Sequence, residues 1–401
     1  MIFHARGDHK IGRLSVVVLL LGVFASVLVA MLVGWFSFWT YLDPPVDVPS
    51  PIEARFGYPG TGDKGRVLFL GDFAPTDAAM PLIEKRGFGY PFDATRKIVR
   101  SYDATVANLE APITTSDTPS PRRPKKYVYK VHPDAVEEIR RAGIDVVTLA
   151  NNHGVDYGNQ GLADTLRYLD AGGILHVGAH MSEAGARRGV VLDTPGGRLG
   201  ILSYMQNKLH WRIRNLAFAL DTPFRKWPGI ARLRYRDLAE DIAQMKKLVD
   251  IVAVVVHWGE NYAPVDEQQA TLGKACIDLG ADIVIGHHPH WYQPVRLYRE
   301  KPIIYSLGNY AFGTPGHYKM RFGMGAALHL KDGQIDAVEL IPLLTQNRIV
   351  KFQPRVPRGK HLERFFSGLL EPSRELGAEI ERRGNRGWLA MSAVGMKEAL
   401  W

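Results

Sequence analysis

Six apolar runs between Arg66 and Asn309 each break into residues that can hold a proton or a cation. No other feature constrains the chain as much. "RVLFLGD" ends in Asp72, "TVANLE" in Asn108 and Glu110, and "VVTLANNH" in Asn151, Asn152 and His153. "VAVVVHWGE" ends in His257 and Glu260, "IVIGHHPH" in His287, His288 and His290, and "IIYSLGN" in Asn309. Between the runs lie stretches with helical spacing, such as "PDAVEEIRRAG", opened by proline and closed by glycine, and "DEQQATLGKACIDLG". Uniformly apolar strands alternating with helices predict an α/β fold whose sheets are covered on both faces. In such folds ligands collect at the carboxyl ends of the strands. Singly, each polar strand end passes for a turn residue. Together they predict one metal or polar catalytic centre.

The donor types narrow the chemistry. Imidazole, carboxylate and carboxamide oxygen suit manganese, zinc or iron. The single cysteine, Cys276, excludes an intrachain disulfide and any zinc site built on several thiolates, and it reads as a small buried hydrophobe. His288 and His290 stand two apart around Pro289, and in an extended segment such positions project the same way, toward one ion or two adjacent ions. His287 would then point to the other face, in a supporting or structural role.

The rest of the chain bears on location and partners. Hydrophobic content of 46% and charged content of 23% are those of a globular protein, and the net charge of +9 favours anionic partners. Leu14 to Leu42 contains no charged residue, is long enough to span a bilayer, and carries Trp35, Trp39 and Tyr41 near its far end. Arg6, Lys10 and Arg13 precede it, and Asp43, Asp47 and Glu53 follow. The positive-inside rule therefore predicts a cytoplasmic segment 1–13, an uncleaved anchor 14–42 and an extracytoplasmic remainder. Residues 43–65, rich in proline and glycine, read as a linker. Residues 207–236 carry eight lysines and arginines against Asp221, with Trp211 and Trp227 interleaved, and read as a basic lid or membrane-hugging insertion. A hairpin is expected at Asp332-Gly333, a last helix from near His361, and a charged, weakly patterned tail over 371–401.

The ordered motifs "FLGDFAPT", "DATVANLEAPIT", "GIDVVTLANNHGVDYGNQGLADTL", "VAVVVHWGENY", "GADIVIGHHPHWYQPV" and "IIYSLGNYAFG" resemble the capsule-synthesis CapA family, the poly-γ-glutamate synthesis proteins. That family is similar to the calcineurin-like metallophosphoesterases. The resemblance implies a four-layer α/β/β/α sandwich over 66–370, an N-terminal membrane anchor and one or two divalent ions. Carried over residue by residue, it implies metal ligation by Asp72, Glu110, Asn152, His257, His288 and His290, with Glu110 shared between two positions. It also implies acid or base work by His153. Ala74 stands where the phosphoesterase pattern has a histidine, so one metal position lacks an imidazole. Glu260 or Asn108 is the candidate to compensate, Glu260 as a catalytic residue. The expected substrate is an anionic polymer, handled alongside a membrane-bound synthase, with no nucleic-acid partner. The alternatives are a phosphoesterase acting on a lipid-linked or nucleotide phosphate, and a non-catalytic assembly or export scaffold.

Overall fold

The structure is a computed structural model that describes residues 47–54, 63–120, 127–206, 229–314 and 321–391, together with helical positions Phe24–Ser26, Leu28 and Met31. The chain divides into two units, Met1–Asp47 and Val48–Trp401. Most of the first, including the expected cytoplasmic segment and most of the 14–42 run, lies outside the described residues. Among the described residues no helix is long and apolar enough to cross a membrane.

The second unit is built on two large sheets, one of nine strands and one of seven. In the nine-stranded sheet Lys64–Ala74, Ala104–Leu109, Val146–Thr148 and Leu175–Val177 run parallel. On the other side of Lys64–Ala74 the antiparallel strands Phe322–Lys331 and Gln334–Leu344 follow, turning at the expected Asp332-Gly333. In the seven-stranded sheet Gly197–Met205, Ile251–His257, Ile283–His287 and Lys301–Ile304 run parallel. The central parallel strands Ala104–Leu109, Ile251–His257 and Ile283–His287 are buried along their whole length, as strands covered on both faces must be.

Alternate residues along each strand enter different cores, which fixes the layer order. Val67, Phe69, Val106 and Val146 of the first sheet face Ile201, Ala253, Val255 and Ile285 of the second. Leu68, Leu70, Ala107 and Val147 point outward to Val99, Ile139, Leu162 and Leu166 on helices. Leu202, Val252, Val254 and Val284 point outward from the second sheet to Leu238, Ile242, Met245 and Ile277 on helices. The order is thus helices, sheet, sheet, helices. Each such aliphatic side chain stabilises the stack by about 1.5–3 kcal/mol through burial. Cys276 sits in the outer core of the second sheet, where burial pushes its thiol up to about 12, so it packs as a hydrophobe.

Four expectations are corrected. The run "IIYSLGNY" is not one strand: Lys301–Ile304 closes the second sheet, and Asn309–Phe312 pairs with Lys64–Ala74 in the first. The chain changes sheet at Gly308, whose φ of 66° and close approach to Tyr292 N leave no room for a side chain. Residues 371–391 are not a tail. The helix Lys360–Arg374 drives Phe365, Phe366 and Leu369 between the sheets, and Arg386–Ala390 pairs with Gln334–Leu344, with Glu381–Arg383 beyond it. Within the expected linker, Ile52–Ala54 adds a parallel strand to Val190–Thr194. The end of the basic insertion also belongs to the fold, because Gly229–Ile230 pairs with Ala179–His180 and a helix starts at Tyr235. Residues 207–228 lie outside the described residues.

Candidate metal centre

Asp72 and Asn108 are paired across neighbouring parallel strands, and Glu110 follows one residue past the end of the second strand. Glu110 N donates to Phe73 O at 3.0 Å, which holds it level with Asp72. Opposite them, Ile251–His257 and Ile283–His287 end level with each other, with His257 paired to His287. The first sheet thus brings carboxylates and carboxamides, and the second brings imidazoles. All of Asp72, Glu110, His257, His287, His288 and His290 are buried.

These side chains converge as two groups that share Glu110. In each of the sets Glu110–His257–His288 and Asp72–Glu110–His290, the ligand atoms lie within 4.8 Å of one another. His257 Nε2 is 3.5 Å from Glu110 Oε1 and 2.7 Å from Asn152 Oδ1. His290 Nδ1 is 3.6 Å from Asp72 Oδ2 and 3.8 Å from Glu110 Oε2. All six candidate ligands from the sequence therefore meet at one place.

The supporting bonds set the orientation. Asp72 Oδ1 accepts from Asn108 Nδ2 at 2.8 Å and lies 2.9 Å from His287 Nδ1, while its Oδ2 accepts from His288 N at 3.1 Å. His287 thus supports a carboxylate of the site. Asn108 does not stand in for the missing imidazole, because its amide is committed to Asp72 and its oxygen to Thr148 and Asn151. Ala74 is fully buried, and its register neighbour is Phe312. Glu260 is the first exposed residue after the buried run that carries His257, and it belongs to neither group. The extended-segment argument for His288 and His290 is also corrected. Both have positive φ, 97° and 54°, so backbone turning and not strand alternation aims the two rings.

Electrostatics favour cation binding. Burial, reinforced by the charges of His288, His287 and His290, holds His257 well below the ordinary imidazole value. Burial also lowers His290, against the pull of Asp72. For Asp72, burial acts to raise the pKa, but the bond and charge of His287 and the charge of His290 outweigh it and the net shift is downward. At neutral pH the rings of His257 and His290 are therefore neutral and Asp72 is ionised, the states in which they ligate. His257 Nδ1 is buried without a hydrogen-bond partner among the described residues, while Nε2 faces two oxygens. The oxygens around Nε2 and the neutral ring make that nitrogen the side a cation would take. The donor set fits a divalent ion.

One residue escaped the sequence reading. Asp156 is buried and its Oδ2 lies 2.6 Å from His153 Nδ1, while it also accepts from Tyr129 N at 3.0 Å. Its signal was the spacing of three residues in "HGVD", which a single turn closes. The Tyr129 ring lies 4.5 Å from that of His153.

Residues 66–314 match the model of the family described as bacterial capsule synthesis protein PGA_cap. The chain belongs to the PGA_cap family. Among curated relatives, it is 28% identical over 291 residues to capsule biosynthesis protein CapA of Bacillus anthracis, covering 71% of this chain and 68% of the relative. It is 28% identical to PGA biosynthesis protein CapA of Bacillus subtilis, covering 69% and 70%. A probable polyglutamine synthesis accessory protein of Mycobacterium tuberculosis is 32% identical, covering 60% and 66%. A solved calcineurin-like phosphoesterase, YfkN of Bacillus subtilis, aligns with a TM-score of 0.40 at 15% identity over 68% of this chain and 87% of that one. Every residue of both candidate groups in this PGA_cap member, and the His153–Asp156 pair, falls inside the matched span.

Proposed function

We propose that this PGA_cap protein is an extracytoplasmic, membrane-anchored component of capsule or exopolymer synthesis, with a metal-dependent hydrolase or transferase site acting on an anionic, poly-γ-glutamate-like polymer. The observation that carries the reading is Glu110, one buried carboxylate shared by two groups of candidate ligands drawn from both sheets. Asp72, Glu110, Asn152, His257, His288 and His290 would hold one or two divalent ions. When bound, such an ion supplies Lewis acidity toward an amide, ester or phosphoryl oxygen.

The chain's own residues account for the proton handling. Asp156 engages His153 Nδ1 and so fixes the ring, which would give or take a proton at the substrate. Burial of the ring keeps bulk water from competing for that proton. The anchor over 14–42 would hold the site at the outer face of the plasma membrane, beside a membrane-bound synthase. The test combines elemental analysis of the purified chain with complementation of a capsule-deficient strain. Stoichiometric manganese, zinc or iron in the wild type is expected, with loss of both metal and polymer in His288→Ala/His290→Ala. Unchanged polymer in that variant would overturn the metal-dependent reading in favour of a scaffold. Metal-dependent turnover of an aryl phosphate, with polymer unaffected, would favour the phosphoesterase.

A further inference from the structure

The segment "TQNRIVKFQPRVPRGKHLER", Thr345 to Arg364, carries six lysines and arginines against one acid, Glu363. That acid is taken: Arg382 holds it through two contacts of 2.7 Å. None of the segment's own lysines and arginines makes an ion pair among the described residues, although elsewhere surface cations commonly do, as in Arg140–Glu137 and Arg374–Glu371. Two further cations join them. Arg321 O accepts from Thr345 N at 2.9 Å. Arg86 lies over the Tyr90 ring at 5.4 Å, and Tyr90 OH donates to Lys351 O. Crowding of like charge is visible at His361, whose imidazole is lowered by burial and then by Arg321, Lys360 and Arg364. Unneutralised cations gathered on one surface repel one another and gain most from a polyanion.

The position of this surface gives it a role. Phe322 pairs with Leu344, and Ala326 with Phe69, so residues 321 and 345 emerge level with the end of Lys64–Ala74 where Asp72 lies. Asn347 then donates to Phe312 O and Thr314 O. The Phe312 ring stands 4.9 Å from His290 and 5.6 Å from Tyr129. The cationic segment therefore begins against a wall of the candidate metal centre and loops back beside its own start, where Leu344 N donates to Arg355 O and the His361 ring stands 6.4 Å from that of Phe322.

We propose that Arg86, Arg321, Arg348, Lys351, Lys360 and Arg364 form a docking track that feeds a carboxylate-bearing polyanionic chain to the Glu110 centre. The proposal rests on the polymer reading above and assigns the binding surface to residues of the folded core. A membrane surface fits less well. Interfacial segments need exposed apolar anchors, and Ile349, 37% exposed, is the segment's one exposed large hydrophobic.

The experiment measures binding, not turnover. The full chain in neutral detergent is titrated with fluorescently labelled polyglutamate, read by anisotropy at low and high salt, beside flotation with phosphatidylglycerol-containing vesicles. Arg348→Gln/Lys351→Gln and, separately, Lys360→Gln/Arg364→Gln are expected to weaken polymer binding about tenfold at low salt. The difference should fade at high salt as the charges are screened. Lys247→Gln, an exposed change beyond the helix Tyr235–Met245, should bind as wild type. The metal content of each cationic variant is measured in parallel, so a variant that keeps its metal but loses the polymer separates failure of the track from failure of the metal reading. Wild-type polymer affinity in both cationic variants, with native circular dichroism, would overturn the proposal. So would a loss confined to the vesicles.

Discussion

Sharing of Glu110 between two groups of ligands makes a prediction that no arrangement of independent sites makes. A ligand that binds only the folded chain stabilises it by about 2.7 kcal/mol when present at a hundredfold excess over its Kd. A unit the size of Val48–Trp401 unfolds with an entropy of roughly 0.7 kcal/mol per degree, so each bound ion should raise Tm by about 4 °C. Glu110→Gln removes the carboxylate from both groups at once and should abolish the whole shift. His288→Ala touches only the group with His257, and His290→Ala only the group with Asp72, so each should leave the shift from the other position. The assay is differential scanning calorimetry of metal-stripped protein with manganese or zinc added back. A full shift in Glu110→Gln would refute the shared-carboxylate geometry. So would identical losses in the two histidine variants with single-ion stoichiometry.

Two further predictions concern stability alone. Arg187 is buried and reaches Asp241 at 2.7 Å and Asp237 at 3.1 Å, so Arg187→Met leaves buried acids uncompensated and should cost about 3–5 kcal/mol in denaturant unfolding, with a loss under about 1 kcal/mol contradicting the pairing. Asp145 is raised by burial from 3.8 to about 6, so its contribution to stability is complete below 3.8 and is lost as pH rises through about 6. Asp145→Asn keeps an acceptor for Thr105 N and should gain about 1–3 kcal/mol at pH 7, a gain that vanishes in unfolding curves below about pH 4.

The layers and the candidate ligands were legible in the sequence for the same reason. A strand covered on both faces must be apolar throughout, so a polar residue at its end stands out against the run. Asp72, Glu110, His257 and His288 all announced themselves in this way. What failed to show was whatever depended on pairing and not on burial. Glu381–Arg383 and Arg386–Ala390 lie on an edge where charged side chains are tolerated, so their sequence looked like a tail. Ile52–Ala54 is three residues long and is held by its neighbour Val190–Thr194. The aim of His288 and His290 depends on two positive φ values that no spacing rule contains. Asp156 was hidden because an aspartate in a turn looks ordinary until its oxygen is seen against His153.

The change of sheet at Gly308 has a consequence for the order in which the molecule is made. Asp72, Asn108, Glu110 and Asn152 emerge from the ribosome well before His257, His288 and His290, and Asn309, which holds His290, comes after all of them. The early half offers oxygen donors on one sheet and the late half offers nitrogen donors on the other. Neither half holds a complete candidate group by itself. The strand Asn309–Phe312 returns beside Lys64–Ala74 and so ties the late half to the early one. On the metal reading proposed above, metal uptake would report that both halves have been made and docked.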